Sequence, residues 1–437
     1  MLPVCRLLRR VVGTAAGGLA PDGRDGGHAG ACRSDDRPDD HFILLAEQRI
    51  MMSADRGGSR GATAPSTPPG RRLRVAIVAP SLGILGGQAV QARRLLDGWA
   101  GDPEVEAWLV PINPAPPGAL RHATRVKYAR TAATQATYWP SLVRQLARAD
   151  VVHVFSASYF SFLLAPVPAF LVARALGRPV VLNYRSGEAP DHLARSRIAR
   201  GVARRCDRVV VPSSFLRDVF RAHGVAARVI PNTVDAALFA FRPRVPLQAH
   251  LLSTRNLEPM YNVACTLRVF QRVQDRYPDA TLTVAGGGSQ LLALRAQAEG
   301  LGLRHVRFTG PISHDDIWRA YADADVYLQT PDIDNMPSSV LEAFSSGNPV
   351  VSTDAGGVPA IVDNGVNGLL APCNDDAALA AQVLRLIETP GLAAGIVRTA
   401  LRSCERYRWA MVRSEWLALY RELSAVAAPS TARVRHA

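Results

Sequence analysis

The 437 residues, 48% apolar and 20% charged, exceed what one hydrophobic core holds and exclude a fibrous or wholly disordered chain; two ordinary domains fit. Cys5, Cys32, Cys206, Cys265, Cys373 and Cys404 form no CxxC pair, which argues against a zinc site or disulfide framework and for a reducing, cytoplasmic setting. The net charge of +14 is uneven, 25 basic against 10 acidic residues in 71–245 and 17 against 19 in 246–437, which favours an anionic substrate or membrane surface near the first half.

Nucleic acid is disfavoured as a partner, since no recognition motif with stacking aromatics accompanies that charge. A bland reading also competes, because every basic residue except Lys127 is Arg and a solvated arginine-rich surface would look the same.

Residues 1–70 are rich in Gly, Asp, Arg, Ser and Pro without a sustained period, and read as a disordered extension. Arg6, Arg9 and Arg10 interrupt the only apolar run that could serve as a signal peptide, and Met51 or Met52 offers an alternative start.

From Arg74 onward strands and helices alternate. The apolar runs at 75–79, 107–110, 151–155, 179–183 and 208–211 are separated by helix-length segments, the first of them an amphipathic helix over 89–99. Strands that are apolar on both faces belong in a parallel sheet covered by helices. Residues 151–173 carry no formal charge, but Pro166 and Pro168 interrupt them, so they read as a strand and an apolar helix that can touch a membrane without spanning it. A linker at Phe241 to Pro246 leads into a second series, at 250–254, 281–285, 306–309, 326–329 and 349–352. Two Rossmann-like halves of this kind enclose a cleft, and ligands bind at the carboxyl ends of such strands.

The chemistry-bearing residues fall at those ends. Gly86-Gly87 follow the first strand and open a helix, where backbone amides can approach an anion; alone, paired glycines mark many turns. The dinucleotide fingerprint GxGxxG is absent there and incomplete at Gly286-Gly287-Gly288, which argues against a nicotinamide enzyme. Arg185 ends one first-half strand, and Arg255 ends the first strand of the second half. The block Asp334 to Ser346, DNMPSSVLEAFSS, places carboxylates at Asp334 and Glu342 around a helix start at Asn335-Met336-Pro337-Ser338-Ser339. Acids flanking unpaired amides suit a sugar at one end, a ribose at the other and phosphate between. His153 reads as a packed strand residue, and Trp409 and Trp416, at heptad spacing, as packing residues.

The block with its sequel, Gly347, Pro349-Val350-Val351, Thr353 to Pro359 and Asn364 to Leu370, resembles the family 4 retaining glycosyltransferases (glycosyl transferases group 1). The resemblance implies an α/β chain of GT-B fold, two Rossmann-like α/β/α domains facing a central cleft. It places an acceptor domain at 71–243, a donor domain at 244–405, and a last helix at 406–425 that packs back on the first domain. It assigns Arg255 to the donor diphosphate, Glu342 to the ribose hydroxyls, Asp334 to the distal hydroxyls of the sugar, and Gly86, Gly87 and Asn335 to Ser339 to the nucleotide sugar.

Three departures stand out. Asp334 replaces the family's longer Glu, Met260 and Tyr261 occupy the place of a second cation, a Lys, and Arg185 stands where a His is usual. A guanidinium is no general base near neutral pH, so Arg185 is expected to hold an anionic acceptor or the phosphate in place of the Lys. The implied activity is transfer of a sugar, with retention, from a nucleotide-diphosphate sugar to a glycan, lipid or small-molecule acceptor. No cofactor is expected and no metal, for Asp332-Ile333-Asp334 supplies only two acids to an ion that takes six ligands. Peripheral attachment to the inner membrane face fits the basic first half. The competing reading is a non-catalytic nucleotide-sugar-binding protein on the same scaffold; the oligomeric state is not legible.

Overall fold

Among the described residues, runs of β-branched and apolar residues too short for helices form twelve strands. The computed structural model, which describes residues 71–83, 86–115, 127–156 and 158–427, gathers them into two six-stranded sheets. The proposed extension and the alternative starts lie outside the described residues.

The first half runs β1 (Leu73–Ala79), α1 (Gly87–Trp99), β2 (Val105–Pro111), α2 (Lys127–Leu146), β3 (Val151–Ser156), α3 (Tyr159–Leu164), α4 (Pro166–Ala175), β4 (Val180–Tyr184), α5 (Ala189–Arg195), α6 (Arg197–Arg205), β5 (Arg208–Val211), α7 (Ser214–Ala222) and β6 (Ala227–Val229). Its sheet has the order β2-β1-β3-β4-β5-β6 and every pairing is parallel.

The second half runs β7 (His250–Ser253), α8 (Val263–Arg276), β8 (Thr281–Ala285), α9 (Leu291–Gly300), β9 (Val306–Gly310), α10 (Ile317–Asp323), β10 (Val326–Gln329), α11 (Ser338–Ser346), β11 (Val350–Thr353), β12 (Leu369–Ala371), α12 (Asp376–Glu388), α13 (Pro390–Cys404) and α14 (Trp409–Ala427). Its sheet, β12-β11-β10-β7-β8-β9, is also parallel. This is the GT-B arrangement. In each half the strand order reverses, beside β1 and beside β7, and the crevice opened by that reversal is where open parallel sheets take ligands.

Alternation along β1 divides the first core. Ala76 and Val78 pack with Tyr138, Leu142, Phe162 and Phe220, whereas Val75, Ile77 and Ala79 face α1 and α14. Val412, Trp416, Leu419, Tyr420 and Leu423 of α14 are buried there, so this helix, far along the chain, completes the core of the first half. Trp409 meets Trp99 edge-on at 4.9 Å, and any Cβ at Gly98 would collide with the Trp409 ring. Arg413 Nε anchors the same helix to Asp102 Oδ2 at 2.7 Å. Residues 151–173 form β3, α3 and the Pro-headed α4, and among the described residues no helix is long and apolar enough to cross a membrane.

Candidate functional site

A cavity of about 1010 Å³ opens between the two sheets, lined from both halves by the loops that leave β1, β3, β4, β7, β8 and β10. Gly86, Gly87, Arg185, Arg255 and the whole run Ile333 to Ser339, with Glu342, are on its wall. The topology therefore brings together every residue that the sequence singled out for the site.

On the second half, Arg255 follows β7 with its side chain only 11% exposed. Its Nη2 donates to Asp334 Oδ2 at 2.7 Å and its Nη1 to Ser339 Oγ at 3.3 Å, while the guanidinium stacks 4.2 Å from the Tyr261 ring centroid. Where a second cation was expected there is thus an aromatic face that steadies the first. Burial acts to lower the Arg255 pKa, but the Asp334 charge and the surrounding tyrosines outweigh it and the net shift is upward. Burial raises the pKa of the Asp334 carboxyl, and Arg255 and the Asn335 amide, which donates to Oδ1 at 2.8 Å, offset only part of that.

Pro337 caps α11 with no side-chain hydrogen bond, so the first amides of the helix, at Ser338 and Ser339, have no side-chain cap where they meet the cavity. A Cβ at Gly356 or Gly357 would strike the carbonyl oxygens of Asp334 and Asn335 respectively, which is why the glycine pair holds the turn before α11 so closely.

Glu342 is buried one turn into α11, and both its oxygens already have partners. Oε1 accepts from Arg94 Nη2 at 2.7 Å and Oε2 from Tyr321 Oη at 3.0 Å. An ionised carboxylate accepts up to four hydrogen bonds, so capacity remains for hydroxyls.

The first half presents a second helix start. Gly86 caps α1 without any side-chain hydrogen bond, and among the described residues a Cβ on Gly86 or Gly87 would find no atom within 4 Å. The glycines thus leave room for a ligand. Arg185, just after β4, donates from Nη1 to Asn183 Oδ1 at 3.2 Å and lies 5.3 Å over Phe155, while its Nη2 is sealed from solvent with no acceptor among the described residues. Burial pushes its pKa down to about 9, which leaves it charged near neutrality. Tyr159, on the same wall, holds a left-handed φ of 55°, a costly conformation for a bulky residue of the kind that collects at functional sites.

Sequence reasoning missed the residues that join the halves. Gln91 Nε2 donates to Ser338 Oγ at 2.8 Å, Asn232 Nδ2 to the Met336 carbonyl at 2.7 Å, and Ser213 Oγ to Asn335 Oδ1. With Arg94 on Glu342, the first half grips the start of α11 directly. A signal existed: Gln91 and Arg94 lie on the buried face of α1 beside Ala92 and Leu95, an odd place for polar groups without partners.

The DxD acids diverge, Asp332 accepting from Asn262 and Asn374, each at 3.0 Å, while Asp334 turns to Arg255. Among the described residues no three His, Cys, Asp or Glu side chains gather as metal ligands. His153 is fully buried within the first sheet and off the cavity wall.

Comparison with known proteins agrees with this geometry. Residues 243–402 match the family described as Glycosyl transferases group 1, and residues 85–238 match Glycosyltransferase Family 4. A phosphatidyl-myo-inositol mannosyltransferase of Mycolicibacterium smegmatis is 28% identical over 289 residues, 63% of this chain and 72% of the relative. The Arabidopsis thaliana sulfoquinovosyl transferase is 27% identical over 298 residues, 62% of this chain and 56% of its own length. Among solved structures, Anabaena HepE in complex with UDP-glucose superposes with a TM-score of 0.65 at 20% identity, covering 80% of this chain and 100% of that one, a likeness of fold.

Proposed function

The chain belongs to the family 4, group 1 glycosyltransferases, and from that premise we propose that it moves a hexose from a nucleotide-diphosphate sugar to an acceptor hydroxyl with retention of configuration. One observation carries the reading: two helix starts without side-chain caps and a largely enclosed Arg255 surround a single cavity that closes on both sides around where a pyrophosphate would lie.

As the bond from anomeric carbon to phosphate oxygen breaks, negative charge grows on the leaving pyrophosphate. Arg255 and the amides of α1 and α11 stabilise that charge more than the ground state, which is what accelerates the step. The acceptor oxygen forms its bond to the anomeric carbon on the face the leaving group vacates, and its proton passes to the departing phosphate oxygen. No carboxylate of the protein needs to attack. Glu342 faces the ribose and Asp334 the distal sugar hydroxyls; its shorter side chain reaches them through water. No metal is needed, because the cation and the amide dipoles neutralise the pyrophosphate.

The acceptor side draws on the basic first half. Arg197, Arg200, Arg204 and Arg205 line one recess on α6 beside exposed Ile198, and among the described residues none of the four pairs with a carboxylate. That face suits the anionic inner surface of a membrane and hence a lipid-linked or anionic acceptor. Sedimentation with anionic vesicles at low and high salt tests the attachment; no binding at low salt removes it.

Turnover of a panel of labelled UDP- and GDP-sugars, including slow donor hydrolysis without acceptor, tests the activity. The product's anomeric configuration, read by NMR, tests retention. Tight donor binding without transfer or hydrolysis would overturn the catalytic reading.

A further inference from the structure

Behind the cavity wall a line of buried polar side chains runs from Arg185 along the face of the first sheet that α14 covers. Arg185 Nη1 meets Asn183 Oδ1 at 3.2 Å, Asn183 Nδ2 meets His153 Nε2 at 2.9 Å, and His153 Nδ1 meets Tyr420 Oη at 2.7 Å. Asn183, His153 and Tyr420 are each fully buried, and they come from β4, β3 and α14. The His153 ring stacks on Phe155 at 5.1 Å and leans on Trp416 at 4.6 Å, so it has no freedom to turn.

The cation at one end sets the direction of every bond in this line. A guanidinium only donates, so Asn183 Oδ1 must accept and Asn183 Nδ2 must donate onward to His153 Nε2. His153 is neutral, because burial and then the nearby Arg185 charge push its pKa down to about 3. Its single ring proton therefore sits on Nδ1 and is donated to Tyr420 Oη. Reversing any member would set two donors or two acceptors face to face in a dry core.

The cation itself lacks a counter-charge. Among the described residues Arg185 forms no ion pair, and its Nη2 has no acceptor. Arg255, by contrast, is answered by Asp334. The loop after β4 also abuts the opposite wall, for a Cβ at Gly187 would come within 3.2 Å of the Asp334 carbonyl carbon. A charge held this firmly, on the wall of a cavity with two helix starts, matches an anion that arrives with the ligand.

We propose that Arg185 is the first half's ligand for the donor pyrophosphate, and that Asn183, His153 and Tyr420 are positioning residues that tie its orientation to α14. The inference rests on the nucleotide-sugar reading. Arg185 then supplies the second cation that Met260 and Tyr261 do not, and from the facing wall.

Calorimetry of the full chain with UDP, GDP and inorganic pyrophosphate tests it, with melting curves to confirm folding. Arg185→Ala is expected to weaken pyrophosphate binding by about 10–100-fold, the range of a charge-assisted hydrogen bond. Asn183→Asp places a carboxylate on the guanidinium and is expected to weaken binding comparably. Tyr420→Phe, which keeps the ring and its packing, is expected to weaken it by about 3–10-fold, one hydrogen bond's net worth, and to have no further effect once Arg185 is Ala. A merely structural Tyr420 would cost the same in both backgrounds, and that result, or Arg185→Ala binding pyrophosphate like the wild type, overturns the proposal while leaving the glycosyl-transfer reading intact. A wild-type chain that binds none of the three probes overturns both.

Discussion

The two walls of the cleft handle charge in opposite ways. On the second half each ionised group already has its partner: Arg255 holds Asp334 at 2.7 Å, and Glu342 is held between Arg94 and Tyr321. On the first half Arg185 has, among the described residues, only an amide oxygen and an aromatic face. The first pattern stabilises the empty site and obliges a ligand to displace or share existing bonds. The second spends stability on a charge that is complete only when an anion is present. One cleft thus combines residues that must exchange partners with one that waits for a partner.

The largest test breaks the satisfied side at the junction of the halves. Arg94→Leu leaves Glu342 as a buried carboxylate held only by Tyr321, and chemical denaturation is expected to show a loss of about 3–5 kcal/mol. The double variant Arg94→Leu with Glu342→Leu should recover most of that loss while remaining inactive. Arg255→Ala is expected to lower turnover by about 10²–10³-fold, as removal of one transition-state charge stabiliser does elsewhere; a change under about threefold by that same yardstick would remove Arg255 from the chemistry.

Asp334→Asn sharpens the contrast further. It removes the charge that occupies Arg255, so the affinity for inorganic pyrophosphate measured by calorimetry should rise by about 3–10-fold even as sugar transfer falls. The smallest effect lies away from the cleft. Asp150 is desolvated, which alone would raise its pKa, yet hydrogen bonds from the Arg74 side chain and amide, with the Arg74 and Arg71 charges, hold it below the usual carboxylate range. A depressed carboxylate contributes stability above its unfolded pKa and loses it as the pH falls through its folded one. The melting-temperature gap between the wild type and Asp150→Asn should therefore be full at pH 6 and shrink toward pH 3, with no effect on turnover.

Most of the strands were legible because both faces of each sheet are covered, so apolar runs stand out against the helices between them. The start of α11 was legible for a local reason, a Pro followed by serines ahead of an apolar stretch. β6 and β12 were not seen as strands: each has three residues, and the half-exposed Ala227–Val229 has no apolar run to announce it. The partner of Glu342 was out of reach for a different reason. Arg94 is 248 positions away, and no periodicity within α11 reports what another half presents to it. Likewise the end of β4 at Asn183-Tyr184, followed by Arg185, marks a site, but that Asn183 connects through β3 to Tyr420 is a fact of three-dimensional packing alone.

The return of α14 across the first sheet bears on how the protein is born. β1 to β6 emerge from the ribosome long before Val412, Trp416 and Tyr420, yet these side chains cover Val75, Ile77 and Val151. Until the later segment is translated, one apolar face of the nascent first half stands open to water, where chaperones or neighbouring chains can reach it. A stop codon just before Trp409 would then damage the amino-terminal half more than the half it adjoins, and soluble yield from cells would register that damage.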